Sequence, residues 1–171
     1  MRAYYYLEDG TSKCLPHDSN DIVTSESLIS IGFHHISVFT KSQLEELCFI
    51  HKYVPRESIS IDSSFDKDQL DRFFKEHIHE NEEVRFITAG EGYFDIRDAN
   101  DKWIRIHATA GDLMIFPAGI YHRFTPTNLM YIESTRFSKD YSELGVVPRP
   151  IASDNKVRKI YESKIKNHVI F

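Results

Sequence analysis

The stretch His77-Ile78-His79-Glu80-Asn81-Glu82-Glu83 sets two imidazoles two positions apart and a carboxylate four positions after the second. On a β-strand, side chains at i and i+2 share a face, so His77 and His79 converge without any bend in the backbone. On a helix they would diverge. A further imidazole, His122, ends the run G-D-L-M-I-F-P-A-G-I-Y-H that begins at Gly111, where Pro117 and Gly119 shape the turn before it. Three imidazoles and one carboxylate form an N/O donor set suited to a first-row divalent metal such as iron, nickel, manganese or zinc. The candidate metal ligands are therefore His77, His79, Glu83 and His122.

The periodicity around these residues is that of strands. Residues 84–89 read as one strand, Gly90-Glu91-Gly92 as a turn, and residues 93–97 as a second strand pairing with the first. After the turn Asp98-Ala99-Asn100-Asp101, residues 103–108 alternate, with Trp103, Arg105 and His107 on one face and Ile104 and Ile106 on the other. Gly111-Asp112 is a turn, and strands follow at 113–116, 121–125 and 130–137. Short strands with Gly, Pro and Asp at the corners predict a β-sandwich or small barrel.

The N-terminal third is mixed. Residues 3–7 are strand-like through their tyrosines, and residues 15–21 form a polar loop. A short helix opens at Ser25-Glu26-Ser27-Leu28 and Gly32 closes it. Ser42-Gln43-Leu44-Glu45 matches a capping box, and Leu44, Leu47, Cys48 and His51 follow at helical spacing. Residues 67–75 predict an amphipathic helix with Leu70, Phe73 and Phe74 inward. From Ser153 a last helix presents Val157, Ile160, Tyr161 and Ile165 for packing, and its basic residues between 156 and 166 are a solvated face.

Length and composition set limits. With 171 residues, 41% hydrophobic and 27% charged, the chain is expected to form one domain. That domain divides into an N-terminal strand and helices (1–75), a metal-binding barrel (76–138), and an extension with a helix (139–171). A net charge of −5 argues against a nucleic-acid partner, because phosphate binding needs clustered Lys and Arg. No apolar run approaches a membrane span, so no membrane partner is expected. Cys14 and Cys48 lack any CxxC spacing and are expected to stay unpaired. The expected location is the cytoplasm, with the nucleus as a second compartment.

Nine histidines make chance pairs easy. His34 and His35 are adjacent and face opposite ways on a strand, so they are read as structural. His107 is read the same way, with no carboxylate nearby.

The sequence resembles the cupin superfamily. One cupin motif runs HxHxxxE and then Gly after six residues, matched by His77, His79, Glu83 and Gly90; the other runs Gly, five residues, PxGxxH, matched by Gly111, Pro117, Gly119 and His122. Asp71 and Pro126 depart from it at turn positions. The resemblance implies a mainly β fold, a double-stranded β-helix or jelly-roll barrel with short flanking helices. The flanks F-F-K-E-H-I-H-E-N-E-E-V-R-F-I, G-Y-F-D-I-R-D and P-A-G-I-Y-H-R-F-T are similar to the acireductone dioxygenases of methionine salvage, most strongly over residues 73–125.

That resemblance implies one Fe(2+) or Ni(2+) per chain and two small-molecule partners, acireductone (1,2-dihydroxy-3-keto-5-methylthiopentene) and O2. It implies formate and 4-methylthio-2-oxobutanoate with iron, or formate, carbon monoxide and methylthiopropanoate with nickel. The ligand set does not choose between them. Four protein ligands on an octahedral ion leave two positions for the adjacent oxygens of an enediolate. Arg85, two positions past Glu83, points into the same cavity and is the expected catalytic and substrate-binding cation, with Arg136 as a second one. Phe73, Ile87 and Phe124 are expected to form the apolar recess for the methylthio tail.

Two other readings remain open on the residues alone, a cupin sugar-phosphate isomerase and a non-catalytic metal-binding module. Residues 138–148 depart from the family's aromatic-rich segment and contain no Trp, which bears on substrate fit more than on metal binding. A monomer is expected.

Overall fold

The computed structural model describes residues 1–139, 144–167 and 169, so part of the divergent 138–148 segment (140–143) and the last residues of the extension lie outside the described residues. In chain order the elements are β1 (Arg2–Tyr6), β2 (Asp18–Ile22), α1 (Ser25–Ser30), β3 (His34–Ser37), α2 (Lys41–His51), β4 (Val54–Ile61), α3 (Lys67–Phe73), β5 (His77–His79), β6 (Glu83–Arg97), β7 (Trp103–Thr109), β8 (Asp112–Phe116), β9 (His122–Pro126), β10 (Ile132–Ser138), β11 (Val146–Pro148), a 3-10 turn (Ile151–Asp154) and α4 (Lys156–Lys166).

Two antiparallel walls share β6. One runs β11-β5-β9-β6-β7-β1-β2; in the other, β6 pairs with β8 and β10, β8 with β3, and β10 with β4. Between them lies an apolar core that includes Ile61, Ile87, Phe94, Ile96, Ile104, Ile106, Met114, Phe116 and Ile132. This is the jelly-roll architecture expected from the cupin motifs.

One sequence expectation is corrected at β6. Residues 84–89 and 93–97 do not form a hairpin; they are the two halves of one 15-residue strand. The first half pairs with β8 and β10, the second with β7 and β9. Gly90 makes the passage between the walls possible, at φ +69°. The carbonyl oxygen of Tyr131 accepts the Glu91 N–H at 3.0 Å beneath it, and a β-carbon on Gly90 would lie 2.1 Å from that oxygen. A glycine can look like a turn residue and still serve a bend within a continuous strand.

Smaller corrections have similar causes. Asp18–Ile22, which overlaps the expected polar loop at 15–21, is an edge strand against β1; its polar side chains fit because an edge faces water. Helix α2 is capped by Thr40 and Gln43 rather than by Ser42 and Glu45: Thr40 Oγ1 accepts the Gln43 N–H, and Gln43 Oε1 accepts the Thr40 N–H. His107 does have a carboxylate neighbour, Glu91 Oε2, at 3.2 Å. The strands β4 and β11 form where no element is predicted from the sequence. Cys14 and Cys48 are unbonded thiols, as expected.

The N-terminus is tied to the barrel by a charge that sits fully inside. Arg105 has no exposed surface and forks onto Asp95 at 2.7 and 2.9 Å, while its third nitrogen donates to the carbonyls of Lys13 and Leu15. Asp95 also accepts from Arg123 Nε at 2.8 Å. Removing one partner of such a set strands the others without water and costs about 3–5 kcal/mol.

The bend at Gly90 yields a direct test. Gly90→Ala is expected to destabilise the protein by about 3 kcal/mol, from left-handed strain plus displacement of the Tyr131 backbone. Urea unfolding measures it, and a loss below about 1 kcal/mol would contradict the close approach described.

Candidate metal centre

The three-residue strand β5 has a neighbour on each edge. On one side His77 pairs with His122 of β9; on the other Val146 and Pro148 of β11 pair with His79 and His77. The pairing with β9 sets the imidazole of the second motif beside the first, with ring centroids 4.3 Å apart. His79 lies on the same face as His77, as period two requires, with its ring 5.0 Å from His77 and 4.8 Å from His122. One nitrogen from each ring falls within 4.8 Å of the others.

Each ring is held from behind by a backbone carbonyl. His77 Nδ1 meets Lys75 O at 2.6 Å, His79 Nδ1 meets Gly145 O at 2.9 Å, and His122 Nδ1 meets Ile120 O at 3.1 Å. A carbonyl oxygen only accepts, so each Nδ1 carries the proton and donates it. Every Nε2 therefore presents a lone pair inward, the state a metal ligand needs. Burial lowers the pKa of His77 and takes that of His122 well below the ordinary imidazole range, which keeps both rings neutral.

Glu83 completes the donor set at the start of β6. Its Oε2 lies 3.7 Å from His79 Nε2 and 3.5 Å from His122 Nε2, whereas its Oε1 accepts from Arg85 Nη2 at 2.6 Å and from Nε at 3.2 Å. Burial alone would raise this carboxyl. The Arg85 guanidinium outweighs burial and holds Glu83 well below the usual carboxylate range. The carboxylate thus has one oxygen fixed by a cation and one free toward the imidazoles. Neutral nitrogen donors and one ionised oxygen fit a divalent first-row metal.

The turn before His122 is fixed twice. Gly119 donates its N–H to the His79 carbonyl at 2.9 Å, and its own carbonyl accepts from Arg158 Nη1 at 3.0 Å. Helix α4 lies so close that a β-carbon on Gly119, at φ +86°, would sit 3.0 Å from Tyr161 Cβ. The C-terminal helix therefore braces the loop that delivers the third imidazole.

In front of the cluster is a cavity of about 210 Å³, lined by all four candidate ligands. Arg85 lines it, as its position after Glu83 predicted. Phe73 and Phe124 also line it, with their rings in edge contact at 6.2 Å. Two expectations are corrected. Ile87 does not reach the cavity wall but is fully enclosed in the barrel core, in the same apolar cluster as Phe94 and Ile132. Arg136 is not among the lining residues: it pairs in register with Arg85, on the same face of the sheet, but its guanidinium is taken up by Glu57, onto which it forks at 2.5 and 2.7 Å. That bond holds the Glu57 carboxyl below its usual range, against burial that would raise it.

Other wall residues escaped the sequence reading. Glu57, Ile59 and Ile61 come from β4, whose alternating S-I-S-I pattern carried a period-two signal. Phe94 comes from the second half of β6, and Leu144 and Val146 from the segment around β11. No local signal announces Gly145, since its role is a carbonyl made available by pairing of β11 with β5.

The Glu83 and Arg85 contact gives a test with a pH sign. In Arg85→Leu, burial is left to raise the Glu83 carboxyl, so protons compete with metal for it. Nickel affinity is expected to fall by about 10–100-fold at about pH 7.5 and further toward about pH 6, whereas Glu83 of the wild type stays ionised across that interval. Competition titration against a chromophoric chelator measures this, and equal affinity in both proteins would contradict the assignment.

The family model described as "ARD/ARD′ family" matches residues 2–143. The acireductone dioxygenase of Yarrowia lipolytica is 39% identical over 176 aligned positions, covering 96% of this chain and 99% of that protein. The acireductone dioxygenase of Aspergillus fumigatus is 35% identical, with 99% of each chain covered. Among solved structures, the acireductone dioxygenase from Bacillus anthracis with a cadmium ion in its active centre superposes with a TM-score of 0.63 over 82% of this chain and 93% of that one. At 18% identity that likeness speaks for the fold. On the sequence matches, which run nearly end to end, this chain belongs to the ARD/ARD′ family, the acireductone dioxygenases.

Proposed function

We propose that this protein is an acireductone dioxygenase of methionine salvage, working as a cytoplasmic monomer with one Fe(2+) or Ni(2+) held by His77, His79, Glu83 and His122. The observation that carries the reading is the convergence of three inward Nε2 lone pairs and the free oxygen of Glu83 at the floor of an apolar cavity. No helix of the described residues is long and apolar enough to cross a membrane.

A bound divalent metal would supply a chelation point for the two adjacent oxygens of the enediol and redox or Lewis-acid assistance to their reaction with O2. The protein's own groups do the rest. Arg85, beside Glu83 and on the cavity wall, offsets the negative charge of an ionised enediol and stays protonated while it does so. Glu57, pinned by Arg136, adds a fixed acceptor on the same wall for a substrate hydroxyl. Phe73 and Phe124 seat the methylthio tail and keep water from the reacting end. With iron the products would be formate and 4-methylthio-2-oxobutanoate; with nickel they would be formate, methylthiopropanoate and carbon monoxide.

A sugar-phosphate isomerase fits the wall less well. Among the described lining residues Arg85 is the one Lys or Arg, and two of its nitrogens already serve Glu83, so a phosphate finds no basic cluster.

Metal-loaded wild type is expected to consume O2 when acireductone is added, and His79→Ala is expected to consume none above the uncatalysed rate. Carbon monoxide should appear with nickel and not with iron. Binding of acireductone to the iron-loaded protein without oxygen uptake would overturn the proposal.

A further inference from the structure

The strap at residues 144–148 has two contacts with the site that come from one short piece of backbone. Its middle part forms β11, which pairs with β5 in the register Val146↔His79, Val147↔Ile78 and Pro148↔His77. The Gly145 carbonyl, one residue ahead of that strand, accepts the Nδ1–H of His79 at 2.9 Å. On either side of Gly145, Leu144 and Val146 line the cavity. Their spacing of two places both on one face of an extended chain. The other apolar residues of the lining are Ile59, Ile61, Phe73, Phe94 and Phe124.

A recess of this composition recognises an apolar group, and it lies beside the imidazoles without being part of the donor set. An enediol held at the ligand cluster would direct its remaining substituent toward this wall. The walls supplied by β4, β6, β9 and α3 are fixed by the packed core, since Ile61, Leu70 and Phe94 belong to it and Phe124 packs against it. The strap is held differently, by β11 pairing on one edge of β5 and by Val147 packing on Ile78 and Tyr121, while Gly145, Val146 and Pro148 are exposed. It is therefore the wall whose side chains can be changed with least disturbance to the barrel. It is also the wall whose displacement would be felt by His79.

We infer that Leu144, carried on the strap that holds His79 through the Gly145 carbonyl, is the specificity-determining residue for the apolar tail of the substrate. This inference rests on the proposed acireductone cleavage and names the part of the chain that selects among acireductones by tail. A bulky side chain at 144 narrows the recess and disfavours an extended tail; a small one opens it to longer tails.

The test uses nickel-loaded wild type, Leu144→Trp and Leu144→Ala, with three synthetic acireductones whose 3-keto substituent is methyl, methylthioethyl or hexyl. In Leu144→Trp the ratio of kcat/KM for the methylthioethyl substrate to that for the methyl substrate is expected to fall about tenfold relative to wild type, in line with the discrimination a hydrophobic pocket achieves. In Leu144→Ala the ratio for hexyl over methylthioethyl is expected to rise severalfold. If Leu144→Trp fails to fold, the Leu144→Ala ratio decides alone. Ratios unchanged in the folded variants, including an equal loss on every substrate, would overturn the inference while leaving acireductone cleavage standing. Absence of turnover of all three substrates by the wild type would overturn both.

Discussion

Three backbone carbonyls, those of Lys75, Ile120 and Gly145, decide what the histidine cluster can be. Each accepts a proton from an Nδ1, and that single constraint fixes both the rotation of the ring and the nitrogen that is left unprotonated. Two of the carbonyls are local, two residues before the ring they serve. The third comes from 66 residues further along the chain and exists only because β11 lies against β5. The donor set is thus a product of sheet pairing as much as of motif.

The rest of the architecture can be understood as support for that arrangement. The shared strand β6 starts at Glu83, crosses from one wall to the other at Gly90, and reaches β9, where Ile96 pairs with His122. One strand therefore fixes the distance between the carboxylate and the third imidazole. Arg85 neutralises the cost of burying Glu83, and it does so with a hydrogen bond to the oxygen that faces away from the imidazoles. Removing the charge or shifting the strand would change the same site for different physical reasons, one electrostatic and one geometric. Arg158, Tyr161 and Gly119 add the outer brace, which explains why a helix remote from the motif matters to it.

Much of this was legible in the sequence because it depends on local rules. Period two placed His77 and His79 together and put Arg85 beside Glu83, and the PxGxxH turn marked His122. The flanking residues carried the family. What was not legible depends on pairings between distant strands. A Gly at position 90 signals a change of direction, yet only the hydrogen-bonding of Tyr131 and β10 shows that the strand continues through it. Arg136 carried a charge suited to the substrate, but its fork onto Glu57 occupies that charge before any ligand reaches it. Ile87 was expected in the tail recess as an apolar residue near the ligands, yet it is enclosed in the barrel core. The wall from β4 was visible as alternation, whereas the Gly145 carbonyl left no trace in residue type.

The claim on which the account turns is the protonation state of the three rings, and nitrogen NMR of the imidazoles reports it directly. Long-range proton–nitrogen correlation spectra of the metal-free protein at neutral pH should show His77, His79 and His122 each protonated at Nδ1 and unprotonated at Nε2. Any of the three found protonated at Nε2 would contradict the account, because its lone pair would then face a carbonyl oxygen and not the centre of the cluster.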